Sequence, residues 1–316
     1  MSGVSLNGKV AVVTGAGRGL GRAFALALAA AGARVVVNDV EAASAAETVE
    51  RITAAGREAV SETSAVGTSA SAQALVDVAV GSFGRLDLMV TNAGVLRDRV
   101  LWKMTDEEFD LVIETHLRGT FTCARAAAIQ MRHQGEGGRI IVVGSPAGQF
   151  GSFGQTNYSA AKAGIVAFAR TWAMELARSQ ITVNAIVPTA WTQMTASIPI
   201  YEPLIARIEA GDPLPREVRR EHALGMPDDC APLVVFLASD AAADVTGQAI
   251  GIGGDRLTLY SHPAVAMVEY QDGGWTAEDI ARAWSERLEP QRQPSGEHLP
   301  PLELTYYPGG QMDYAA

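Results

Sequence analysis

Short apolar runs alternate with longer amphipathic, alanine-rich runs along residues 1–254. The short runs are rich in β-branched residues and apolar throughout, which is the pattern of strands buried on both faces. They predict strands at 9–14, 34–39, 86–92, 139–145, 181–188 and 249–254, and a weaker one at 57–61. The longer runs predict helices near 20–31, 41–55, 69–82, 106–133, 157–178 and 228–238. Buried strands separated by helices are typical of a doubly wound α/β fold around a parallel sheet.

The composition changes after Gly254. Residues 255–316 carry ten acidic and four basic side chains, a net charge of −6 within the −10 of the whole chain. One helix is predicted there, at 276–288, with Thr276 as its N-cap. Prolines at 290, 294, 300, 301 and 308 predict an extended tail that wraps the protein. Because this segment is too short and too rich in proline to bury a core, we predict one domain at 1–254 and a C-terminal extension at 255–316.

Composition and charge exclude several classes of protein. The chain has 316 residues, 48% of them hydrophobic, and its net charge of −10 gives no basic field to attract nucleic acid or an anionic membrane. Its two cysteines, Cys123 and Cys230, form no metal-binding or disulfide pattern, so we expect no metal and a reducing, cytoplasmic location. The amino terminus does not resemble a signal peptide, and no apolar run is long enough to cross a bilayer.

A glycine-rich segment, TGAGRGLG, joins the first strand to the first helix. Gly15, Gly19 and Gly21 permit a tight turn and let a pyrophosphate approach the backbone at the amino end of a helix. Asp39 ends the second strand, where a carboxylate accepts both ribose hydroxyls of NAD and repels the extra phosphate of NADP. Arg18 favours the opposite choice, because its guanidinium can pair with a phosphate. We give the carboxylate more weight and predict NAD.

Tyr158 and Lys162 stand four residues apart at the head of an alanine-rich helical run, NYSAAKAG. Residues at that spacing share one face of a helix, so the ammonium lies near the phenol and favours its anionic form. Taken alone, such a pair is more often a fringe of a helix than a catalytic site. However, Asn92, Ser145 and Pro188 end the fourth, fifth and sixth strands, at the edge where open α/β sheets bind ligands. The sequence therefore predicts one crevice that brings these polar groups together.

Together, TGAGRGLG, NAG at 92–94, the serine thirteen residues before the tyrosine, and YSAAK resemble the short-chain dehydrogenase/reductase family over roughly residues 7–254. The resemblance implies a Rossmann fold and an NAD(P)-dependent oxidoreductase that interconverts a secondary alcohol and a ketone. It implies that Tyr158 is the general acid or base, that Lys162 lowers the pKa of Tyr158 and holds the nicotinamide ribose, and that Ser145 positions the substrate oxygen. The cofactor-binding residues carried over are Gly15, Arg18, Gly19, Leu20, Gly21, Asp39, Ser64, Asn92, Ala93, Gly94, Tyr158, Lys162, Pro188 and Thr192.

Two positions depart from the family pattern. His116, which we count among the catalytic candidates, stands where the family usually has an asparagine that supports a water chain to the lysine. An imidazole also donates and accepts hydrogen bonds, so a proton relay could persist with a different pH response. Alternatively, His116 is a packed helix residue and the relay is altered or lost. Ser64 stands where the family expects an aspartate near the adenine, and its hydroxyl can still offer a hydrogen bond.

Longer matches point to a subgroup. RDR at 97–99, HLRGTF at 116–121, GSFGQTNYSAAKAG at 151–164 and VNAIVPTAWTQMT at 183–195 resemble the (3R)-hydroxyacyl-CoA dehydrogenase modules of multifunctional enzymes. That resemblance implies an acyl-CoA substrate, whose phosphates Arg97, Arg99 and Lys103 could meet. It also implies a mobile lid after Pro188 that would wall an acyl chain. The apolar residues of this lid are Trp191, Met194, Ile198, Ile200 and Tyr201.

Two other functions stay open at this point. A hydroxysteroid or another secondary alcohol would suit the same residues, and a preference for the free alcohol over the CoA thioester would support it. A non-catalytic dinucleotide-binding regulator is a further alternative, although such relatives typically lack the tyrosine or the lysine that this chain retains. The long alanine-rich helices at 106–133 and 157–178 resemble those through which the family forms homodimers and homotetramers, so we expect a homo-oligomer.

Overall fold

Eight strands form one sheet in the part of the chain that the computed structural model describes, which is residues 4–192, 201–297 and 299–300. The strands are β1 Val10–Thr14, β2 Arg34–Asn38, β3 Ala59–Glu62, β4 Leu88–Thr91, β5 Gly138–Val143, β6 Ile181–Pro188, β7 Ala249–Gly253 and β8 Arg256–Tyr260. Their order is β3-β2-β1-β4-β5-β6-β7-β8, with β1 to β7 parallel and β8 antiparallel to β7. The chain order reverses between β1 and β4, which is the point where open α/β sheets bind their ligands.

Helices cover both faces of the sheet. They are α1 Gly19–Ala30, α2 Ala42–Ala54, α3 Ser69–Phe83, α4 Asp106–Val112, α5 Gly119–Gln134, α6 Pro146–Phe150, α7 Thr156–Leu176, α8 Glu202–Glu209, α9 Arg216–Arg220, α10 Pro227–Ala238 and α11 Ala277–Ala283. One core, with Val13 and Phe24, packs α1, α2 and α10 on one face, and a second, with Val12 and Met131, packs α3, α5 and α7 on the other. Successive strand residues are buried on opposite faces, which confirms the predicted doubly wound α/β fold.

The helix predicted at 106–133 consists of three segments. α4 ends at Val112, a π-helical turn covers Ile113–Arg118, and α5 begins at Gly119. A π turn inserts an extra residue into the helical winding. It contains His116, which is buried with 2% of its surface exposed. Apolar periodicity did not reveal this turn, because the flanking segments both keep helical spacing.

The extension after Gly254 begins inside the sheet. The sequence analysis did not predict β8, which pairs with β7 from Arg256 to Tyr260. Its residues alternate between half-buried and exposed, as in a strand with one solvated face. The composition of the chain changes at Gly254, but the sheet continues past that residue. The division of the chain into a domain and an extension at Gly254 stays a prediction.

The predicted helix at 276–288 is α11 followed by a π-helical turn at Trp284–Leu288. Thr276 caps it as predicted, and its hydroxyl accepts a hydrogen bond from the N–H of Asp279 at 3.1 Å. Further along, the extension returns to the domain, because the N–H of Gly296 donates to the carbonyl of Phe150 at 2.9 Å. The predicted wrapping tail at 301–316 lies outside the described residues.

No helix in the described part of the chain is long and apolar enough to cross a bilayer. Among the same residues, no group of three or more His, Cys, Asp or Glu side chains could hold a metal ion. Cys123 and Cys230 are both buried and free.

Candidate active site

The glycine-rich turn between β1 and α1 lies against the end of β4. Gly15 has a φ of +62°, and a Cβ there would lie 2.8 Å from the Cα of Ala93. A Cβ on Gly21 would lie 2.1 Å from the carbonyl oxygen of Gly15. The side chain of Asn92 donates to the carbonyls of Thr14 and Gly15, at 3.0 and 3.1 Å. The turn and the strand end therefore form a cradle of backbone atoms with no room for side chains, as a bound pyrophosphate requires.

Asp39 follows β2 and lies beside this cradle. Its Oδ2 accepts from the N–H of Gly17 at 2.9 Å, and its Oδ1 accepts from the N–H of Glu41 at 3.0 Å. A Cβ on Gly17 would lie 2.6 Å from that Oδ2, so only glycine fits. The sequence analysis missed Gly17, whose role comes from contact with a segment distant along the chain. Arg18 is exposed and makes no side-chain cap on α1.

Ser64 lies just beyond β3 and is bound to Glu62. Its backbone N–H donates to Oε1 of Glu62 at 2.9 Å, and its hydroxyl donates to the same oxygen. The other carboxylate oxygen of Glu62 accepts from the side chain of Asn38 at 3.0 Å. A carboxylate therefore stands beside Ser64, supplied from two residues earlier in the chain. Glu62 was not among the predicted site residues, because only position 64 corresponds to the family's aspartate.

Tyr158 lies in the first turn of α7, and Ser145 is the N-cap of α6. The Ser145 hydroxyl accepts from the N–H of Ala147 at 3.3 Å and is close enough to Tyr158 to influence the pKa of the phenol. Burial raises the pKa of Tyr158 above its ordinary value of 10.0, Ser145 lowers it, and the charge of Asp98 raises it further. The phenol is therefore protonated at neutral pH and can act as an acid.

Lys162 lies one turn beyond Tyr158 in α7, and only 3% of its surface is exposed. Its Nζ donates to the carbonyl of Val143 at 2.7 Å and lies 5.4 Å from the centroid of the Tyr158 ring. Burial lowers the pKa of Lys162 from 10.5 to about 7. The net shift of the Tyr158 pKa in this structure is upward, because burial of the phenol dominates. The effect on the phenol that the resemblance implies for Lys162 stays a prediction.

His116 packs its ring edge-on against Tyr158, with ring centroids 5.2 Å apart and an angle of 87° between the planes. Its Nε2 lies 2.8 Å from the carbonyl oxygen and 3.0 Å from the backbone nitrogen of Val95. Its Nδ1 is buried without a hydrogen-bond partner among the described residues. A Cβ on Gly94 would lie 2.2 Å from Cε1 of His116, so the NAG segment leaves space for the imidazole.

Burial lowers the pKa of His116 from 6.5 to about 3; the charge of Lys162 acts in the same direction and the Val95 hydrogen bond opposes it. The imidazole is therefore neutral throughout the pH range in which enzymes usually work. A neutral imidazole can still relay a proton, because one ring nitrogen donates and the other accepts. Whether the relay persists with a different pH response stays a prediction.

The remaining predicted cofactor residues lie at the same edge of the sheet. Pro188 ends β6, and a Cβ on Gly19 would lie 3.8 Å from Cγ2 of Thr192. Leu20, in the first turn of α1, is half-buried against the core on that face. These positions lie at the edge of the sheet that the sequence predicts for the crevice.

The residues predicted to face the substrate lie in loops and in the predicted lid. Arg99 pairs with Glu108 at 2.8 Å, whereas the exposed side chain of Arg97 donates to the neighbouring Leu96 carbonyl. Lys103 is exposed in a short 3₁₀ turn. A small apolar cluster on the lid side contains Tyr201, Leu204, Leu214, Val218 and Leu224, with Trp191 packed against it. Met194, Ile198 and Ile200 lie outside the described residues.

Comparisons with known proteins agree with this geometry. A family model for short chain dehydrogenases matches residues 9–200. A hydroxyacyl-CoA dehydrogenase of Mycobacterium tuberculosis is 46% identical over 282 residues, which are 85% of this chain and 84% of that protein. Peroxisomal multifunctional enzyme type 2 of Drosophila melanogaster is 44% identical over 201 residues, which are 61% of this chain and 33% of that enzyme. The crystal structure of a short chain dehydrogenase from Mycobacterium avium superposes with a TM-score of 0.78 at 37% identity, covering 92% of this chain and 98% of that one.

Proposed function

The chain belongs to the short-chain dehydrogenase family, and from that membership we propose that it is an NAD-dependent oxidoreductase acting on a (3R)-hydroxyacyl thioester of coenzyme A. The observation that carries the proposal is the placement of Tyr158 and the buried Lys162 one turn apart on α7, with Nζ of Lys162 5.4 Å from the centroid of the Tyr158 ring. These groups lie beyond the carboxyl ends of the parallel strands, where a substrate carbonyl and a nicotinamide ring can meet.

The residues present fit a dinucleotide. Gly15 and Gly21 leave no space for a Cβ in the turn at the amino end of α1, so backbone N–H groups and the helix dipole face a bound pyrophosphate. Asp39 is oriented by Gly17 and Glu41, which supports NAD over NADP because its carboxylate would repel a 2′-phosphate. A nicotinamide cofactor, when bound, supplies or accepts the hydride.

The side chains of the chain handle the proton. In ketone reduction, Ser145 donates a hydrogen bond to the substrate oxygen and Tyr158 transfers its phenolic proton to that oxygen. The raised pKa of Tyr158 keeps the proton available at neutral pH. As the phenolate forms, its negative charge favours the protonated form of Lys162, because a nearby anion stabilises an ammonium group. In alcohol oxidation the same proton moves in reverse.

Similarity supports the thioester substrate. A relative that is named a hydroxyacyl-CoA dehydrogenase is 46% identical, and Arg97 offers an exposed guanidinium on the substrate side for a phosphate. The apolar cluster around Trp191 and Tyr201 would contact an acyl chain. A homodimer or homotetramer is part of the same proposal, supported by exposed apolar side chains on the two long helices, Ile129 at 62% on α5 and Met174 at 74% on α7.

The first test is the initial rate of NADH formation with a (3R)-hydroxyacyl-CoA, its (3S) isomer, a hydroxysteroid and a simple secondary alcohol. Selective turnover of the (3R) thioester with NAD supports the proposal, and the same panel with NADP tests the cofactor. Turnover of the free alcohols alone would assign the chain to hydroxysteroids or other secondary alcohols. Binding of NAD with no turnover of any compound would favour a regulator. Sedimentation of the protein at several concentrations tests the oligomer.

A further inference from the structure

Asn157, immediately before Tyr158, is a fully buried amide with 0% of its surface exposed. Its Oδ1 accepts from the N–H of Tyr158 at 2.7 Å. Its Nδ2 donates to the carbonyls of Arg97 and Glu108, each at 3.1 Å. Both N–H groups and the oxygen of the amide are therefore used, and a buried polar group whose bonds are all made is held in one orientation.

The bonds of Asn157 join three separate segments. Arg97 belongs to the loop that follows β4, Glu108 belongs to α4, and Tyr158 belongs to α7. The loop is held from α7 at further points, since the N–H of Arg99 donates to Gly154 at 2.7 Å and the side chain of Gln155 donates to Asp98 at 2.9 Å. The loop that contains Arg97 and the helix that contains Tyr158 are thus joined by several hydrogen bonds.

The first turn of α7 needs such support. Gln155 is the N-cap of α7 and makes no side-chain hydrogen bond to the exposed N–H groups of the helix, which is the usual way in which a first turn is secured. Tyr158 lies in this turn. Asn157 supplies a side-chain acceptor to the N–H of Tyr158 and ties the turn to two neighbouring segments.

We infer that Asn157 is a positioning residue: it holds the first turn of α7, and Tyr158 with it, in place and couples that placement to the loop at 95–99. The inference rests on the proposed function, in which Tyr158 transfers the proton. Two effects on the tyrosine depend on this geometry, namely the interaction with Ser145 and the nearby charge of Asp98. A small displacement of the phenol would alter the rate, since misplacement by about 1 Å can cost roughly a hundredfold.

The test compares Asn157→Ala and Asn157→Ser with Asn184→Ala. Asn184 is a matched control because it is 1% exposed, donates to the carbonyl of Val245 at 2.7 Å and accepts from the N–H of Gln248 at 3.0 Å, beside the amino end of β7. All three variants lose a buried amide, and melting temperatures give the folded fraction of each. The serine variant keeps the test valid if the alanine variant fails to fold.

Per folded molecule, the Asn157 variants should lose about tenfold or more in kcat with little change in the KM for NAD. The pH profile of kcat should also shift, because a displaced phenol changes its interactions with Ser145, which lowers its pKa, and with Asp98, which raises it. Asn184→Ala should keep both the rate and the profile. An unmoved pH profile, or a loss of kcat no larger than in Asn184→Ala, overturns the inference.

Hydrogen exchange gives a readout that needs no substrate. Faster amide exchange at 95–99 and 157–160 in the Asn157 variants, with no change there in Asn184→Ala, supports the positioning role of Asn157 even if every alcohol tested is inactive. Unchanged exchange at both segments overturns it. A failure of the proposed function is seen in the wild-type rates instead, so the two outcomes are distinguishable.

Discussion

The proposed dinucleotide site around Gly15 and Gly21, called the cofactor half, and the loops around residues 95–103 and 151–155, called the substrate half, are built in different ways. In the cofactor half, backbone atoms of the turn pack against other backbone atoms, and an added Cβ on Gly21 would lie 2.1 Å from a carbonyl oxygen. In the substrate half, large side chains remain exposed, such as Trp102 at 75% and Phe153 at 73%. The first half can change little without distorting its neighbours, whereas the second can change without loss of fold. The proposed dinucleotide site is therefore specified tightly, and under the same proposal substrate choice is carried by exposed side chains that the packing of the fold constrains less.

The candidate catalytic groups and the positioning residue Asn157 are also closely packed. Lys162, His116 and Asn157 are all at least 97% buried, and each is bonded to a backbone atom of another segment. Removing the hydrogen-bond partner of such a buried group costs free energy. The proposed proton transfer thus depends on the packing of the domain, while its substrate depends on loops.

The largest effect is expected where the two halves meet. Tyr158→Phe should lower kcat by about a thousandfold, because general acid catalysis contributes roughly 10²- to 10⁴-fold, yet NAD should bind nearly as before. Tyr260→Phe, on the half-buried tyrosine of β8, is the control for loss of a hydroxyl. The measurements are steady-state kinetics and a fluorescence titration with NAD. Loss of NAD binding along with turnover would mean that Tyr158 is structural.

A substitution in the cofactor half tests how closely it is packed. Gly21→Ala should cost about 1–3 kcal/mol, as overpacked sites do, seen as weaker NAD binding and a lower melting temperature. Gly81→Ala is a matched control, because Gly81 lies in α3 and a Cβ there would meet no atom within 4 Å. Alanine is the better helix former by about 1 kcal/mol, so this control should melt slightly higher. Equal behaviour of the two variants would contradict the comparison.

Cofactor preference belongs to the same half. Asp39→Asn keeps an oxygen that can accept from Gly17 or Glu41 but removes the negative charge. The ratio of kcat/KM for NAD over NADP should fall by about tenfold, since roughly 1.4 kcal/mol of repulsion is lost. Asp77→Asn, on the outer side of α3, controls for the lost charge. If the ratio stays constant, the preference resides in other residues of the turn.

A substitution in the substrate half should have a smaller effect. Arg97→Ala should raise the KM for the acyl-CoA by roughly two- to fivefold, because an exposed ionic contact is worth about 1 kcal/mol or less. The same acyl group on a short thiol without phosphates should show no change. Arg57→Ala, an exposed arginine beside β3, is the control. An equal rise in KM for both thioesters would remove Arg97 from phosphate binding.

A further difference concerns stability and pH and leaves the substrate contacts untouched. Burial lowers the pKa of Lys162 to about 7 in the folded chain, against an ordinary value of 10.5. The folded state therefore carries the cost of the buried charge fully below pH 7, and this cost disappears as the pH rises toward 10.5. The melting temperature of Lys162→Met relative to wild type should be higher at pH 6 than at pH 9. Lys103→Met, on an exposed lysine, controls for the removed charge, and a gap independent of pH would argue against the shift.

The sequence by itself determined the parallel strands, the helices on both faces and the crevice at the strand ends, because burial periodicity is a local property of the chain. It also located the glycine-rich turn, since only glycine tolerates its backbone and its close contacts. The sequence did not predict β8, because a short strand with one solvated face gives a weak hydrophobic pattern.

The tertiary structure alone decided which groups hold the catalytic side chains and how their protons are bound. Asn157 is the first residue of the NYSAAKAG segment, but its hydrogen-bond partners, Arg97 and Glu108, lie 60 and 49 residues away along the chain. Spacing suggested that Lys162 favours the phenolate of Tyr158, but it could not show that burial raises the pKa of the phenol. The physical reason is common to both cases: contacts between distant segments and removal of water depend on packing, which no local pattern records.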